Sequence, residues 1–358
     1  MAGNSFGTLF KITTWGESHG KGIGATIDGC PSGLAISEEE IQQELNRRKP
    51  GQSKLTTERK ETDRVHIMSG VFDGKTTGTA ISLVIFTEDA DSSKYESMKD
   101  IYRPSHADFT YDQKYGFRDY RGSGRASGRE TAARVAAGAI AKKLLAGIGA
   151  QIYAYVIQIG DIQTRRVDFE AIEQNSVRCA DPDCAPEMES LILKLKAVGD
   201  SVGGKAEVTA LNVPTGLGDP VFDKLDADLA KAMLSIGAVK AIEFGAGFDV
   251  CHMQGSQYND QFIRQNDHLV TKTNHAGGIL GGISNGMPIV FRVAVKPTPS
   301  IMIAQQTVDR NGQPRLFQLP AGSRHDPCIL PRIIPVLEAM TALVLADKWL
   351  IQKTVKSS

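Results

Sequence analysis

The 358-residue chain has no net charge, because 41 lysines and arginines stand against 41 aspartates and glutamates. A protein built for nucleic acid is normally basic overall, so this balance argues against that class and makes any basic patch local, a site for a small anion. Cysteine is scarce and odd in number: Cys30, Cys179, Cys184, Cys251 and Cys328, with no C-x-x-C pair. Cys179 and Cys184 are close enough to face each other across a loop, but there is no second pair to complete a zinc site. The expectation is reduced cytosolic thiols and no metal. The N-terminal MAGNSFGTLFKITTW has no long apolar run, which predicts no signal peptide, no membrane span and a cytoplasmic protein. There is also no repeat period, low-complexity tract or evident linker. A chain this long can bury a large core, and it reads as one integrated unit of mixed helix and strand.

The segment Phe117 to Gly138, FRDYRGSGRASGRETAARVAAG, carries the most information. Arg118, Arg121, Arg125, Arg129 and Arg134 are interleaved with glycines and run directly into small, apolar residues. Ser127 and Glu130 have capping-box spacing, so a helix is expected to start near Gly128. Unpaired amides and the positive dipole end of such a start favour an anion, and arginine forks match phosphate or carboxylate. An arginine-rich segment is usually a solvated face. Here the helix that follows must be buried on most sides, and a buried helix with cations at its start needs counter-charges or a bound anion.

Strands are expected at Gly7–Thr14, Ile23–Asp28, Thr79–Phe86, Gln151–Gln158, Lys205–Val213, Val239–Phe244 and Ile289–Lys296. Further helices are expected from Ser37 to before Pro50-Gly51, from Pro186 to about Val198, from Asp219-Pro220 to near Gly237, and from Pro331 to Lys348 apart from Pro335. This leaves four long loops, at 51–64, 89–115, 245–286 and 297–327, and long ordered loops tend to be functional.

Several short segments carry reactive groups. Gly16-Glu17-Ser18-His19-Gly20 has the letters of a nucleophile elbow, but only 17 residues precede Ser18, too few for the strands before a hydrolase elbow. A serine hydrolase using Ser18 is the alternative function, and the preferred reading is a glycine-flanked loop presenting His19 to a ligand. Arg103-Pro104-Ser105-His106-Ala107-Asp108 puts an arginine and a histidine three apart, and His106 either serves the site or bonds to its own loop backbone. Asn274 to Gly282 is glycine-rich but neither a dinucleotide fingerprint nor a Walker loop. Lys296-Pro297-Thr298-Pro299-Ser300 holds two hydroxyls on a stiff loop. Arg324-His325-Asp326 offers a cation, an imidazole and a carboxylate, and Arg47-Arg48-Lys49 with Lys54 forms another basic patch.

In order along the chain, these segments resemble the chorismate synthase family, over about Ser5 to Asp347. The matches are GESHGKGIGATIDGCP from Gly16, RPSHAD from Arg103, YRGSGRASGRETAARVAAGA from Tyr120, NHAGGILGGIS from Asn274, KPTPS from Lys296 and RHDPC from Arg324. The resemblance implies an α+β fold: a single-domain β-α-β sandwich over residues 1–347 with buried helices between the sheets and long active-site loops, then a tail at 348–358. It implies a lyase converting 5-enolpyruvylshikimate 3-phosphate to chorismate and phosphate by anti 1,4-elimination, the last common step toward aromatic amino acids. It further implies reduced FMN supplied by an external NAD(P)H-dependent flavin reductase, and a homotetramer. By similarity His19, His106 and Asp326 are catalytic, while Ser18, Arg48, Arg103, Ser127, Arg129 and Arg324 contact substrate. The cofactor falls to Arg48, Lys54, Arg125, Ala126, Ser127, Gly237, Ala238, Gly281, Lys296, Pro297, Thr298, Pro299, Ser300 and Arg324. Lys54 stands where the family often has arginine, and Ala126 and Gly128 where relatives often have serine and alanine.

Overall fold

A computed structural model describes residues 3–56, 61–88, 93–320, 323 and 326–355. Two five-stranded antiparallel sheets form its outer layers. The first runs Ser5–Phe6, Lys11–Trp15, Gly22–Asp28, Ile81–Phe86 and Val65–Ser69 in spatial order. The second runs Val239–Phe244, Ile289–Val295, Gly204–Leu211, Gln151–Ile159 and Ile162–Gln163. Alternation drives both. Ile81, Leu83 and Ile85 are buried with less buried residues between them, as are Ile289, Phe291, Val293 and Val295, so each sheet turns one apolar face inward.

Helices Thr131–Ala146 and Leu330–Val355 fill the space between the sheets. The helices are α1 Glu38–Arg48, α2 Asp108–Tyr115, α3 Thr131–Ala146, α4 Ala185–Ala197, α5 Leu225–Leu234, the one-turn α6 Gly255–Tyr258, and α7 Leu330–Val355. Ser37 caps α1 with a full capping box, its Oγ accepting from Glu40 N (3.3 Å) while Ser37 N donates to Glu40 (3.2 Å). α3 touches strands of both sheets, and α7 packs on the second sheet and on α3. A Cβ on Gly138 would lie 2.4 Å from the Ala339 Cβ, so the α3–α7 crossing is close because that position is glycine. Asp347 of α7 accepts the amides of Thr8 (2.8 Å), Leu9 (2.7 Å) and Phe10 (2.9 Å), which clasps the start of the first sheet to the last helix.

The differences from expectation have local causes. α5 starts at Leu225 rather than at Asp219-Pro220, because Val221 adopts φ +66°, which no right-handed helix admits. α7 runs through Pro335 and past Lys348 to Val355. The segment expected as a tail is therefore helical through Val355, and Lys348 is buried against Asp219 (2.9 Å) and Asp228 (2.8 Å). The expected loops contain α2, the hairpin Phe262–Gln265/His268–Thr271 and the hairpin Gln305–Val308/Pro314–Phe317. No helix among the described residues is long and apolar enough to cross a membrane.

Candidate active site

The arginine-glycine segment builds one wall of a large cavity. Gly122, Ser123 and Gly124 adopt φ of +56°, +74° and +52°, a left-handed run that glycine takes without steric cost. This turn supports the GESHG loop. Ser18 N donates to Gly124 O (3.2 Å), and a Cβ on Gly122 would lie 2.1 Å from His19 Cδ2 and 2.9 Å from Ser18 Oγ. The His19 ring meets Tyr95 edge-on, with centroids 5.1 Å apart. Arg125 donates to Gly16 O (3.2 Å), Thr14 O (3.2 Å) and Thr14 Oγ1 (2.9 Å), holding the strand that leads into the loop. The expected capping box is only half made. Ser127 Oγ accepts from Arg129 N (3.3 Å), but the Glu130 carboxylate takes Thr14 Oγ1 (2.7 Å) and Arg134 Nε (2.8 Å) instead. A short 3-10 turn, Gly128–Glu130, therefore precedes α3.

Asp108 closes the Arg103–Asp108 loop on itself. Its Oδ2 accepts Arg103 Nε (2.7 Å) and Arg103 N (3.2 Å), and its Oδ1 accepts Arg103 Nη2 (2.7 Å) and lies 3.1 Å from His106 Nδ1. The ring of His106 thus pairs with a carboxylate rather than with the loop backbone. Arg103 Nη2 also donates to Ser123 Oγ (3.1 Å), tying this loop to the left-handed turn. Burial is the main reason that His106 titrates below the ordinary histidine range, and Arg103 adds to it against the pull of Asp108. Burial opposes ionisation of Asp108, but its hydrogen bonds from Arg103 and His106 outweigh it and hold the acid far below the usual carboxylate range.

A third group is cationic. Arg48, 3% exposed, donates to Asp63 Oδ2 (2.7 Å), while Arg129 reaches the other oxygen of Asp63 (3.0 Å) and Glu61 (3.1 Å). Burial above all, with Arg332 and Arg129 close by, lowers Arg48 to about 10 in spite of Asp63. Such a guanidinium gains from a second anion. Arg332 pairs with Asp326. Lys296 donates to Ser105 O (2.7 Å) and also titrates low, through burial and then Lys240.

These groups line one cavity of about 1420 Å³, walled by ten lysines and arginines against four carboxylates, a lining suited to a multiply anionic ligand. Ser18, His19, Arg48, Arg103, His106, Arg125 to Ser127, Arg129, Gly237, Ala238, Lys296, Thr298 to Ser300 and Asp326 all line it. Pro297, Lys54 and Gly281 are not among its lining residues. Lys54 pairs with Glu189 (2.8 Å) at the surface, and Gly281 sits in the turn between Ile279–Leu280 and Ile283–Ser284. Arg324 and His325 lie outside the described residues. Sequence reasoning missed Arg332, Ser123 and Asp63. A lone cation in the first turn of an apolar helix, where the dipole disfavours it, is a legible signal for Arg332. Asp63 gives none, since its partners are 15 and 66 residues away.

The chorismate synthase family model matches residues 10–350. The chain belongs to the chorismate synthase family. It is 54% identical over 357 residues to the chorismate synthase of Roseiflexus castenholzii, covering 99% of each chain. It is 53% identical to that of Methanosarcina mazei, covering 98% of this chain and 97% of the relative. A crystal structure of a chorismate synthase superposes with a TM-score of 0.77 at 35% identity, covering 97% of this chain and 93% of that one. The fold is that of the family.

Proposed function

We propose that this cavity converts 5-enolpyruvylshikimate 3-phosphate to chorismate and phosphate by anti 1,4-elimination, the last common step toward aromatic amino acids. The observation that carries the reading is the gathering of His19, His106 and Asp326 in one cation-lined cavity of a chain in this family. The substrate bears a phosphate and two carboxylates, which matches the excess of cations.

The lining also fits reduced FMN beside the substrate. A single drug-sized ligand fills roughly 300–1,000 Å³, and this cavity is larger at about 1420 Å³. Thr298 Oγ1 and Arg129 Nε are buried with no hydrogen-bond partner among the described residues, so polar atoms are in place for ligands. Arg125, Ala126, Ser127, Gly237, Ala238, Lys296, Thr298, Pro299 and Ser300 would hold the flavin. When bound, reduced flavin supplies electron density to the allylic system with no net redox change. Arg48, Arg103 and Arg129 neutralise the phosphate and carboxylates, and Ser18 and Ser127 offer hydroxyls to them. His19 gives a proton to the departing phosphate, and Asp326 assists loss of the C6 proton. His106 stands at the flavin side. We place flavin reduction with an external NAD(P)H-dependent system and the working assembly as a homotetramer, checked by light scattering.

The serine hydrolase reading loses its support: Ser18 Oγ is buried and has no hydrogen-bond partner among the described residues, so no base there activates it. The test is anaerobic mixing of the protein with reduced FMN and 5-enolpyruvylshikimate 3-phosphate. Chorismate absorbance and stoichiometric phosphate are expected, and neither appearing with reduced flavin present sinks the proposal.

A further inference from the structure

The six residues Arg103 to Asp108 fold around a single carboxylate. Asp108 is 4% exposed and stands at the first position of α2. Its two oxygens face Arg103 Nε, Nη2 and backbone N, His106 Nδ1, and Arg118 Nη1 at 3.4 Å. Arg118 is held in turn by Asp112 (3.1 Å), one helical turn further along α2. Two buried guanidiniums and a helix N-terminus around one acid leave it ionised. An ionised carboxylate only accepts hydrogen bonds, so the hydrogen in the 3.1 Å contact belongs to His106 Nδ1. The charged groups that face His106 are Asp108 and Arg103 from its own loop and Lys296 from the end of strand Ile289–Val295. Burial comes first among these influences and outweighs the hydrogen bond to Asp108, with the two cations adding to it, so the ring's titration is shifted down. The neutral ring with its hydrogen on Nδ1 has a lone pair on Nε2.

We propose that Asp108 is a positioning residue that fixes His106 as the Nδ1–H tautomer, making Nε2 a hydrogen-bond acceptor toward the occupant of the cavity. The same carboxylate sets Arg103, so one acid orients a charge-neutralising fork and an imidazole together. The kinetic consequence rests on the reaction proposed above, whereas the tautomer itself does not.

The first experiment needs no turnover. The protein is labelled with ¹⁵N-histidine, and the His106 ring signals are assigned by their loss in His106→Gln. At pH 7 the ligand-free wild type should show a protonated-type Nδ1 and a lone-pair-type Nε2. A hydrogen on Nε2, alone or with Nδ1, overturns the proposal. The second experiment is Asp108→Asn, whose amide can donate to Nδ1 and favour the opposite tautomer. The His106 signals should exchange character, and kcat should fall by about 10²–10⁴-fold. Arg103→Gln should instead raise KM while leaving the His106 signals as in wild type. An Asp108→Asn protein with wild-type ring signals and wild-type kcat overturns the proposal. A wild type that gives no chorismate but shows the expected tautomer defeats the reaction assignment and leaves the role of Asp108 intact.

Discussion

Arg47 and Arg48 are neighbours on the last turn of α1, and the fold treats them in opposite ways. Arg47 donates to Glu338 Oε1 (2.9 Å), Glu173 (2.8 Å) and Glu44 (2.8 Å), and Lys142 completes the group by reaching Glu338 (2.9 Å) and Glu44 (2.7 Å). Burial works against its charge, but Glu338 and then Glu44 and Glu173 outweigh it and hold Arg47 well above its ordinary range. Arg48 has one carboxylate, shared with Arg129, and further guanidiniums beside it. The first arginine is fully compensated and serves the core, while the second is left short of negative charge at the cavity wall. In the sequence the two are the same letter. What separates the structural cation from the ligand-binding one in this pair is the count of carboxylates the fold delivers to each, not its exposure.

Replacement by alanine should separate the pair most sharply. Arg47→Ala leaves Glu338 buried with only Lys142 and the Ala154 amide (3.3 Å) against its charge and should cost about 3–5 kcal/mol in urea unfolding, with KM near wild type. Arg48→Ala should keep more of the stability but lower kcat/KM by about 10²–10³-fold. A loss of turnover in both, at equal stability, erases the distinction.

Next in size is the acid at the centre of the Arg47 group. Burial raises Glu338, but Lys142 and Arg47 outweigh it and bring it from 4.5 down to about 2. A depressed folded value means stability that is present above pH 4.5 and is lost as the pH falls toward 2, on the order of 3 kcal/mol. Unfolding free energies taken across that window should show the loss in wild type and a flatter curve in Glu338→Gln.

Gly122→Ala tests the cavity side by displacement instead of charge. The added methyl meets the His19 ring, and a shift of about 1 Å at a reacting group costs roughly 10²-fold in kcat. Unchanged turnover would show that His19 is not held by this turn. The smallest expected effect is from inorganic phosphate. It should raise the wild-type melting temperature, by about 2.7 kcal/mol of stabilisation at 100 times its Kd, and do so less in Arg48→Lys, which keeps the charge and loses the fork.

The elements were legible where one face is buried. Val239–Phe244 has the expected bounds, and the Ser37 capping box is complete, because alternation and capping are local chemistry. The hairpin Phe262–Gln265/His268–Thr271 falls in a segment whose sequence predicts loop, since its side chains are nearly all exposed and no apolar period marks it. At the site, the motifs identified the cations and imidazoles. The acids that orient them were harder to find. Asp108 was visible as a letter in its motif, but its grip on both Arg103 and His106 depends on a folded loop. Asp63 had no motif at all. Lys54 stands in the basic patch and Gly281 in the glycine-rich run, but their cofactor role follows from resemblance alone, and neither lies in the cavity wall.

The Asp347 clasp has a consequence for how the protein is made. The amides of Thr8 to Phe10 leave the ribosome long before their acceptor, for the carboxylate that receives them is synthesised 337 residues after Phe10. Ile23, Ile81 and the other inward residues of the first sheet meet α3 midway along the chain, and α3 meets its own partner α7 only at the end. Until then they are exposed apolar surface in a growing chain, the condition under which nascent proteins aggregate or engage chaperones. Translation that stops within the last helix thus leaves α3 without its partner and the Thr8 to Phe10 amides without their acceptor.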